Sequence, residues 1–566
     1  MNKRNLFFLS IVALSAMMSV GRTSAAVIEH DGDHVILNIE EMDLKGDESL
    51  MDILMTMPDV MTTDGRSLVD GDFSSWTIFI DYLEFGIESE AFLKNTKACS
   101  VSSLDIHSHP GVSDGLEATG KGINVVYRKA KEGTSGTVNL EGGSYGNGSS
   151  FNTIAYQHGN LNIRGWLVGD LDYSKAYGTG LRTHGSSETA KLHAVWDATP
   201  DDNLILSLTQ QLTRSRTPDE LEKGQTYNME FAYNHTFCDA ISSYFQTGCY
   251  YERTHLFGED DGIGKMVCPY AQVEFTFTLF SESLWLTPGV EGGYAGANGI
   301  NGPWTDRQRY TDYYLLAEWE LGKFRFVAGD RYRRVRYWNI NDDFTANRSD
   351  HLYNVGAGYT FNEHHDVQAS FDHRPFMPDN TSFNLTDEED EVIGHISSPY
   401  VPDCYVTELR YTYQQPRLTL MGLLENTHQQ FEREAFAASG NDNNLSLGLS
   451  ANWKACDWLR LTLGASYNHE RFHNTEEEMV LHNNFANLRF VPEVTTGGWR
   501  FLATMIYNTR RSSSEDFAYY VRPNFYAALR VSKDITPRWN VYVDAHDLAD
   551  QRTGNREALL GVTYKW

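Results

Sequence analysis

Two groups of residues in this sequence have types and spacings that could do chemistry. The first, His469-Glu470-Arg471-Phe472-His473, matches HExxH, in which two histidines one helical turn apart bind zinc and the glutamate acts as base. That geometry requires a helix, whereas this segment continues an alternating strand through Tyr467. In a strand the two histidines lie about 13 Å apart, too far to share one ion. The segment therefore predicts a polar strand end or loop, and no enzyme.

The second group is a dense basic cluster in a chain whose formal charge is −29. It consists of Arg331, Arg333, Arg334 and Arg336, interleaved with Tyr332, Tyr337 and Trp338. If the strands of this chain close into an outer-membrane barrel, which the alternation described below tests, these arginines could hold an anionic ligand inside its lumen. They could instead pair with lumenal Asp and Glu or with lipopolysaccharide phosphates at the aromatic girdle, which is the role we favour. The alternation of apolar and polar residues is interrupted at this cluster, so the sequence does not assign each arginine to one face of a strand.

The remaining polar groups predict no catalytic, metal or cofactor site. The acidic runs at 259–261, 387–391 and 476–478 lack the alternating ligands of a calcium loop and are expected to be solvated loops. The glycine-rich stretches 142–148 and 292–302 are not followed by a helix and a lysine, as a phosphate-binding loop would be. The six cysteines form no CxxC pair. Cys249 and Cys268 fall on adjacent predicted strands and could cross-link, although isolated thiols are the favoured reading.

Composition restricts the classes of protein that could carry these groups. The chain has 566 residues, 41% of them hydrophobic and 22% charged. Its mean hydropathy is −0.45. After the N-terminus no apolar run reaches about 18 residues, which excludes a helical membrane protein. A transmembrane barrel remains compatible, because its strands alternate lipid-facing and lumen-facing side chains. The strongly acidic balance argues against nucleic-acid binding.

The N-terminus resembles a signal peptide. Lys3 and Arg4 precede an apolar stretch from Leu6 to Val20, and small residues follow at 24–26. The stretch is too short to span a bilayer and has the layout of a cleaved secretory signal. We therefore expect a signal peptide at 1–26 and export of the rest.

Beyond about residue 133 the sequence has a period of two. In the last strand Leu560, Val562, Tyr564 and Trp566 share one face, and Gly561, Thr563 and Lys565 share the other. Such strands run about 10 to 14 residues, longer than those of a soluble sandwich. Tight turns separate them about 40 residues apart, near residues 160, 201, 239, 282, 322, 363, 416, 455, 496 and 535. Ten turns define eleven hairpins and hence about 22 strands, with longer polar loops at the other rim.

The first hundred mature residues have a different, mixed character. Leu50, Ile53, Leu54 and Met57 are spaced i, i+3, i+4, i+7, which predicts an amphipathic helix that stops before Pro58. Short strands are predicted at 76–81 and 104–107. A glycine pair then leads into a further strand at 120–129.

These segments resemble the plug of the TonB-dependent outer-membrane receptors, in the branch known as outer-membrane β-barrel family proteins. The matching segments are Asp47–Leu54, Met57-Pro58-Asp59-Val60, Thr77–Asp81, Leu104–Pro110, Glu117–Val125 and, near the end, Val543–Asp550. The family's Pro-Gly-Val and Ile-Asp-Gly are replaced by Pro58-Asp59-Val60 and Ile80-Asp81-Tyr82. The residues that the resemblance assigns to the plug motif are Pro58, Val60, Asp81, Pro110, Gly120, Gly122 and Asn124. Tyr564 and Trp566 would form the C-terminal signal for barrel assembly.

The resemblance implies an all-β membrane protein, a transmembrane antiparallel barrel of about 22 strands with a small α+β plug inside. The expected divisions are a signal peptide (1–26), a plug (27–131) and a barrel (132–566). The implied function is TonB-coupled uptake of a small, unidentified ligand without a cofactor. Expected partners are outer-membrane lipid, lipopolysaccharide, the barrel-assembly machinery and TonB.

Two alternatives remain open. No clear TonB box precedes the plug, and 27–29 and 35–38 are the nearest candidates, which leaves a non-transporting barrel for surface binding or assembly. The other alternative is a secreted soluble β-rich protein.

Overall fold

A computed structural model of the chain describes most of the barrel and parts of the plug. The described residues are 28–31, 34–42, 48–54, 57, 76–81, 83–84, 92–93, 95–107, 121–128, 132–144, 147–175, 182–217, 221–257, 262–280, 283–298, 304–339, 344–362, 364–375, 377–378, 384–386, 392–395, 400–401, 403–431, 440–474, 479–512, 520–521, 523–546, 548 and 557–566. The predicted signal peptide lies outside them.

The N-terminal part folds into a six-stranded sheet with one short helix. The strands are β1 (Ile28–Asp31), β2 (His34–Asn38), β3 (Trp76–Ile80), β4 (Leu83–Glu84), β5 (Val101–His107) and β6 (Lys121–Tyr127), and the helix is α1 (Leu50–Leu54). Two 3-10 turns cover Ile39–Glu41 and Ala98–Ser100. The spatial order is β1-β2-β5-β6-β3-β4, with β3 and β6 parallel and the other pairs antiparallel. This sheet is the plug.

The helix α1 forms where the hydrophobic spacing predicts one, although it is only five residues long. Ser49 and Asp52 make a reciprocal cap: the Asp52 amide donates to Ser49 Oγ at 3.1 Å and the Ser49 amide donates to Asp52 Oδ2 at 3.0 Å. Leu50, Ile53 and Leu54 are buried, as is Met57 just beyond. A five-residue helix is unstable alone, so this apolar contact with the sheet is what holds it.

The rest of the chain forms a closed antiparallel barrel of 22 strands, as predicted. The strands before the long insertion are β7 (Gly133–Gly143), β8 (Gly148–His158), β9 (Leu161–Lys175), β10 (Arg182–Thr199), β11 (Asp202–Arg216), β12 (Leu221–Cys238), β13 (Ile241–Phe257), β14 (Gly262–Leu279), β15 (Leu284–Asn298), β16 (Trp304–Leu321), β17 (Phe324–Asn339), β18 (Phe344–Asn362) and β19 (His365–Arg374). Within the insertion β20 (Met377–Pro378) pairs with β23 (Tyr400–Val401), and β21 (Asn384–Thr386) pairs with β22 (Val392–His395).

The remaining strands complete the cylinder. They are β24 (Asp403–Gln415), β25 (Leu418–Phe431), β26 (Gly440–Cys456), β27 (Leu459–Asn474), β28 (Met479–Thr496), β29 (Trp499–Asn508), β32 (Asn524–Thr536), β33 (Trp539–His546) and β34 (Glu557–Lys565), with a small hairpin of β30 (Arg511–Ser512) and β31 (Tyr520–Val521) between β29 and β32. The last strand, β34, pairs with β7 and closes the barrel. Trp566 extends this contact, because its amide and carbonyl bond to Gly136.

Short connections lie at one rim, within three residues of every predicted turn. Gly159-Asn160, Asp239-Ala240 and Gly322-Lys323 are examples. The strands themselves run from 8 residues in β33 to 19 in β18, so the expected 10 to 14 was too short for many of them. The excess is at the opposite rim, where strands continue beyond the apolar band. Residues 344–350, for instance, have no alternating hydrophobic pattern and yet belong to β18.

The two faces of the barrel differ as the alternation predicts. Leu140, Leu167, Val355, Leu449 and Leu560 are exposed on the outer face. The inner face is polar and buried; its buried side chains include Asn139, Lys191, Ser207, Glu230, Thr412, Ser466, Asn487 and Thr563. An apolar outside around a polar inside is the arrangement of a barrel in lipid, so the structure confirms the predicted outer-membrane class.

None of the helices in the described parts of the chain is long and apolar enough to cross a membrane.

Candidate functional site at the plug and barrel wall

The plug and the inner wall share one apolar core. Phe151, Trp166 and Val168 of the wall are buried in the same cluster as the plug residues of α1 and its sheet. Phe92 of the plug meets Phe151 edge to face, with 6.4 Å between ring centroids. Burial of these side chains supplies non-directional adhesion, roughly 25 cal/mol for each Å² removed from water. The polar contacts described next fix the position of the plug relative to the strands of the wall.

A chain of charges joins the middle of α1 and the residue Glu48, two positions before it, to three neighbouring strands of the wall. Arg500 on β29 lies 3.3 Å from Asp52 and 2.8 Å from Glu493 on β28. Glu493 also lies 3.4 Å from Arg460 on β27, and Arg460 lies 3.7 Å from Glu48. We call these five residues the α1 charge chain. It alternates in sign along its length, so each arginine has a carboxylate on either side.

The position of Asp52 in this chain has an electrostatic consequence. Burial alone would raise the pKa of its carboxyl, but Arg500 and then Arg530 favour the charged form more strongly. The Ser49 amide and Lys97 act in the same direction. The pKa of Asp52 therefore lies below its ordinary value, and the contact is ionised at neutral pH.

A second contact joins the plug turn at Asp81 to the wall. Asp81 has φ of 50°, in the left-handed region that Asp tolerates better than most residues. From this position its Oδ2 atom reaches Nε2 of the buried His193 on β10, at 3.0 Å. The predicted plug residue Asp81 thus contacts the barrel directly, through a partner that the sequence did not single out.

Arg164 on β9 makes a third contact, with the end of plug strand β6. Its guanidinium lies 4.2 Å from the centroid of the Tyr127 ring and donates to the Arg128 carbonyl at 2.6 Å. Burial raises the pKa of the Tyr127 hydroxyl to about 12 despite the nearby arginine. Tyr127 therefore stays neutral, and its ring acts as the face on which the cation rests.

Between these contacts the plug and the wall do not meet completely. A cavity of about 240 Å³ lies between plug residues 95–100 and the periplasmic ends of β7, β8, β9 and β34, next to Lys97, Arg164 and Trp566. A smaller space of about 20 Å³ shares Asn95, Lys97 and Thr137 with it and extends toward Arg500. The latter has room for about one water. Together they form a seam along one side of the plug.

The structure divides the four predicted arginines into two pairs on opposite faces. Arg331 and Arg333 point inward and are fully buried. Nε of Arg331 lies 2.7 Å from Asp312, and Nε of Arg333 lies 2.8 Å from the same carboxylate, while Arg331 also pairs with Glu291. Two cations therefore face two carboxylates, which leaves no net positive charge for an anionic ligand. Arg334 and Arg336 are exposed on the outer face.

Tyrosines lie flat on the inner wall, each over a glycine, both beside this arginine pair (Tyr314) and across the barrel on β33 (Tyr542). A Cβ on Gly289 would be 2.1 Å from the Tyr314 ring, and one on Gly561 would be 2.0 Å from the Tyr542 ring. The missing side chain lets Tyr314 reach Glu274 at 2.8 Å and lets Tyr542 donate to Glu141. Each of these hydrogen bonds joins two strands that are separated by one other strand, and so stabilises the wall.

The other predicted plug residues fall into two groups. Gly122 and Asn124 are buried on β6, where Asn124 sits opposite Phe79 of β3 and Asp105 of β5. Pro58, Val60, Pro110 and Gly120 lie outside the described residues. Tyr564 and Trp566 sit at the closing seam, with their rings stacked 6.2 Å apart. The roles assigned to these residues by resemblance remain predictions.

The HExxH segment is part of strand β27. His469 bonds to Asn484 on the next strand at 2.5 Å and stacks on His482. No group of three metal-binding side chains occurs among the residues that the structure describes. All six cysteines are free thiols, and Cys249 sits opposite Pro269 whereas Cys268 sits opposite Tyr250. Adjacent register positions face opposite sides of a sheet, so the suggested cross-link does not form.

Comparison with known proteins gives similarity in structure and not in sequence. No protein-family model matches the chain, and no curated protein matches it. The solved structure of the copper transporter OprC has a TM-score of 0.70 at 12% identity, covering 97% of this chain and 100% of that one. The siderophore receptor PiuA from Acinetobacter baumannii has a TM-score of 0.68 at 12% identity, covering 97% and 99%. The FrpB iron transporter from Neisseria meningitidis has a TM-score of 0.67 at 13% identity, covering 94% and 99%. At such identities the likeness concerns the fold: this chain has the barrel-and-plug fold of the TonB-dependent outer-membrane receptors.

Proposed function

We propose that this chain is an outer-membrane receptor that takes up a small ligand through its barrel, with the plug as the gate. One observation carries the proposal: a sheet that shares no strand pairing with the barrel occupies the lumen and is held to the wall by one apolar cluster and a few polar contacts, chiefly the α1 charge chain and the Asp81–His193 pair. A 22-stranded barrel is wide enough to pass a solute once its plug rearranges. The seam beside residues 95–100 is where the least packing has to be broken.

We propose that the gate is opened from the periplasm by TonB acting on the N-terminal segment. Among the strands that the structure describes, β1 lies at the edge of the plug sheet and pairs with β2 alone. A pull on this end would separate one pair of residues at a time and so needs less force than shearing the whole sheet. The side chain of Gln414 on β24 donates to the Ile28 carbonyl at 2.9 Å and ties this strand to the wall.

Metals and metal chelates are the first ligand class to test. The similar solved structures include a copper transporter, a siderophore receptor and an iron transporter. That supports the choice of growth condition and does not identify the ligand of this chain.

The test is growth of a strain that lacks this chain, in media limited for iron or copper, with and without complementation. We expect the wild-type chain to restore growth in a limiting medium and to require TonB. A variant with residues 28–31 replaced by glycine should reach the outer membrane in the same amount and fail to restore growth. If the wild-type chain never restores growth while it still binds ligand at the surface, it is a non-transporting barrel, and restored growth that does not require TonB would refute the coupling to TonB.

A further inference from the structure

The outer face of the β16–β17 hairpin changes character in steps along its length. From the short turn upward, the directly opposed pairs are Leu321–Phe324, Trp319–Phe326, Ala317–Ala328, Leu315–Asp330, Tyr313–Tyr332, Thr311–Arg334, Arg309–Arg336 and Arg307–Trp338. The lower pairs are mainly apolar, the Tyr313–Tyr332 pair is aromatic, and the upper pairs carry four arginines. We call Arg307, Arg309, Arg334 and Arg336 the outer arginine cluster.

The height of this cluster matches the edge of the hydrocarbon layer. Arg334 lies ten residues along β17 from Phe324, at the short-turn rim. Ten residues at about 3.3 Å each, tilted about 40°, rise about 25 Å, which is the height of the apolar band of an outer-membrane barrel. Tyr313 and Tyr332, one pair below, occupy the place of the aromatic girdle. The arginines therefore stand at the level of the headgroups in the outer leaflet.

The cluster lacks internal compensation for its charge. Arg309 and Arg336 are directly opposed, an arrangement in which like charges repel. Nε of Arg307 is buried and has no hydrogen-bond partner, and Arg336 rests on the Trp338 ring at 5.4 Å. Among the described residues no carboxylate pairs with any of the four. Asp330, the nearest acid on this face, is held by His351 at 2.9 Å. Four cations that pair with no acid among the described side chains, in a chain of charge −29, point to an anion from outside.

We infer that the outer arginine cluster binds the phosphate groups of a phosphorylated glycolipid in the outer leaflet. A guanidinium presents two parallel N–H donors to a phosphate, and the opposed arginines bring two such groups to one place. The inward pair Arg331 and Arg333 takes no part, because Asp312 and Glu291 already neutralise it. Because side chains of β17 face the two sides of the wall, the four arginines at 331–336 have two roles. Arg331 and Arg333 stabilise the wall from inside, and Arg334 and Arg336 face the lipid.

The test uses the full chain purified in detergent, with lipid A as the probe. We expect Arg309→Gln/Arg336→Gln to weaken lipid A binding about 25-fold, since each arginine near an anionic surface contributes about fivefold. Removing both phosphates from lipid A should weaken its binding to the wild-type chain by a similar factor. The matched control is Arg417→Gln/Arg538→Gln, which removes the same charge from two exposed turn arginines at the opposite rim and should leave binding unchanged.

Three results would overturn the inference. Equal binding by the Gln variant and the wild-type chain would show that the cluster makes no contact. An equal loss in the control variant would show a response to net charge alone. Displacement of lipid A by millimolar inorganic phosphate would assign the site to a free anion and not to a lipid. A heat-modifiable band in gels, measured for every variant, shows that each barrel is folded.

Discussion

The contact between Asp52 and Arg500 gives the sharpest prediction about the plug. Asp52→Asn removes the charge that faces Arg500 and weakens the acceptor of the Ser49 amide in the α1 cap. Loss of a cap costs about 1 kcal/mol, and loss of one partner of a buried ion pair costs up to about 3 to 5 kcal/mol. Arg500 keeps Glu493 at 2.8 Å and asparagine keeps an acceptor, so we expect the low end, about 2 kcal/mol in total.

The assay is release of the plug by urea from the barrel held in a planar bilayer, read as the appearance of large conductance. For a domain of about a hundred residues the dependence on urea is about 1 to 2 kcal/mol per molar. A loss of about 2 kcal/mol therefore lowers the midpoint of plug release by about 1 to 2 M. The matched control is Asp366→Asn, because Asp366 is as buried as Asp52 and pairs at 2.7 Å with Arg325 within the wall. The reasoning is refuted if the Asp52 variant opens at the wild-type midpoint, or if the Asp366 variant opens as early.

Three further predictions concern pH, the wall and the closing seam. Folding lowers the pKa of Asp52, so its contact contributes stability above the unfolded pKa of about 3.9 and loses it as the pH falls through the folded pKa. Release of the wild-type plug by urea should therefore become easier below about pH 4. The release midpoint of Asp52→Asn should change less in that range. Gly561→Ala places a Cβ 2.0 Å from the Tyr542 ring and should lower the temperature at which the barrel loses its heat-modifiable band, whereas Gly422→Ala, whose nearest neighbour is 3.5 Å away, should not. Trp566→Ala removes the ring that packs on Gly136 at the β34–β7 junction, so we expect less folded barrel in the outer membrane, and an unchanged yield would contradict this role.

The barrel was predictable because its signals are local. Ten turns and the alternation between them give the strand count, and lipid on one side forces residues such as Leu560 and Val543 to be apolar. Helix α1 was predictable because the spacing of Leu50, Ile53, Leu54 and Met57 is likewise a local signal. The ends of the strands were less predictable, because beyond the apolar band residues 344–350 continue the hydrogen-bond ladder without an alternating pattern.

The site was not predictable, because its contacts join residues far apart in sequence. Asp52 and Arg500 are separated by 448 positions, and Asp81 and His193 by 112. Arg500 and Arg460 stood on the polar faces of their strands, and that was their only signal. The arginines of β17 were ambiguous for a different reason: Val335 is apolar yet faces inward, where it packs with Tyr310, Tyr314 and Leu352. Hydrophobicity alone therefore predicts the wrong face of the barrel for Val335 and its neighbours on β17.

The central claim, that the plug gates transport by leaving the wall, is tested most directly by a reversible tether. The double variant Asp81→Cys/His193→Cys places two thiols where the native side chains are 3.0 Å apart, and a short bis-methanethiosulfonate would join the plug to β10 through two disulfide bonds, with a sulfinate leaving at each thiol. Each single variant, treated identically, controls for reaction at the six native cysteines. We predict that the tether stops uptake in the complemented strain and that a reductant restores it, while surface binding of ligand is unchanged. Uptake that continues at the untreated rate with the tether fully formed would contradict the account.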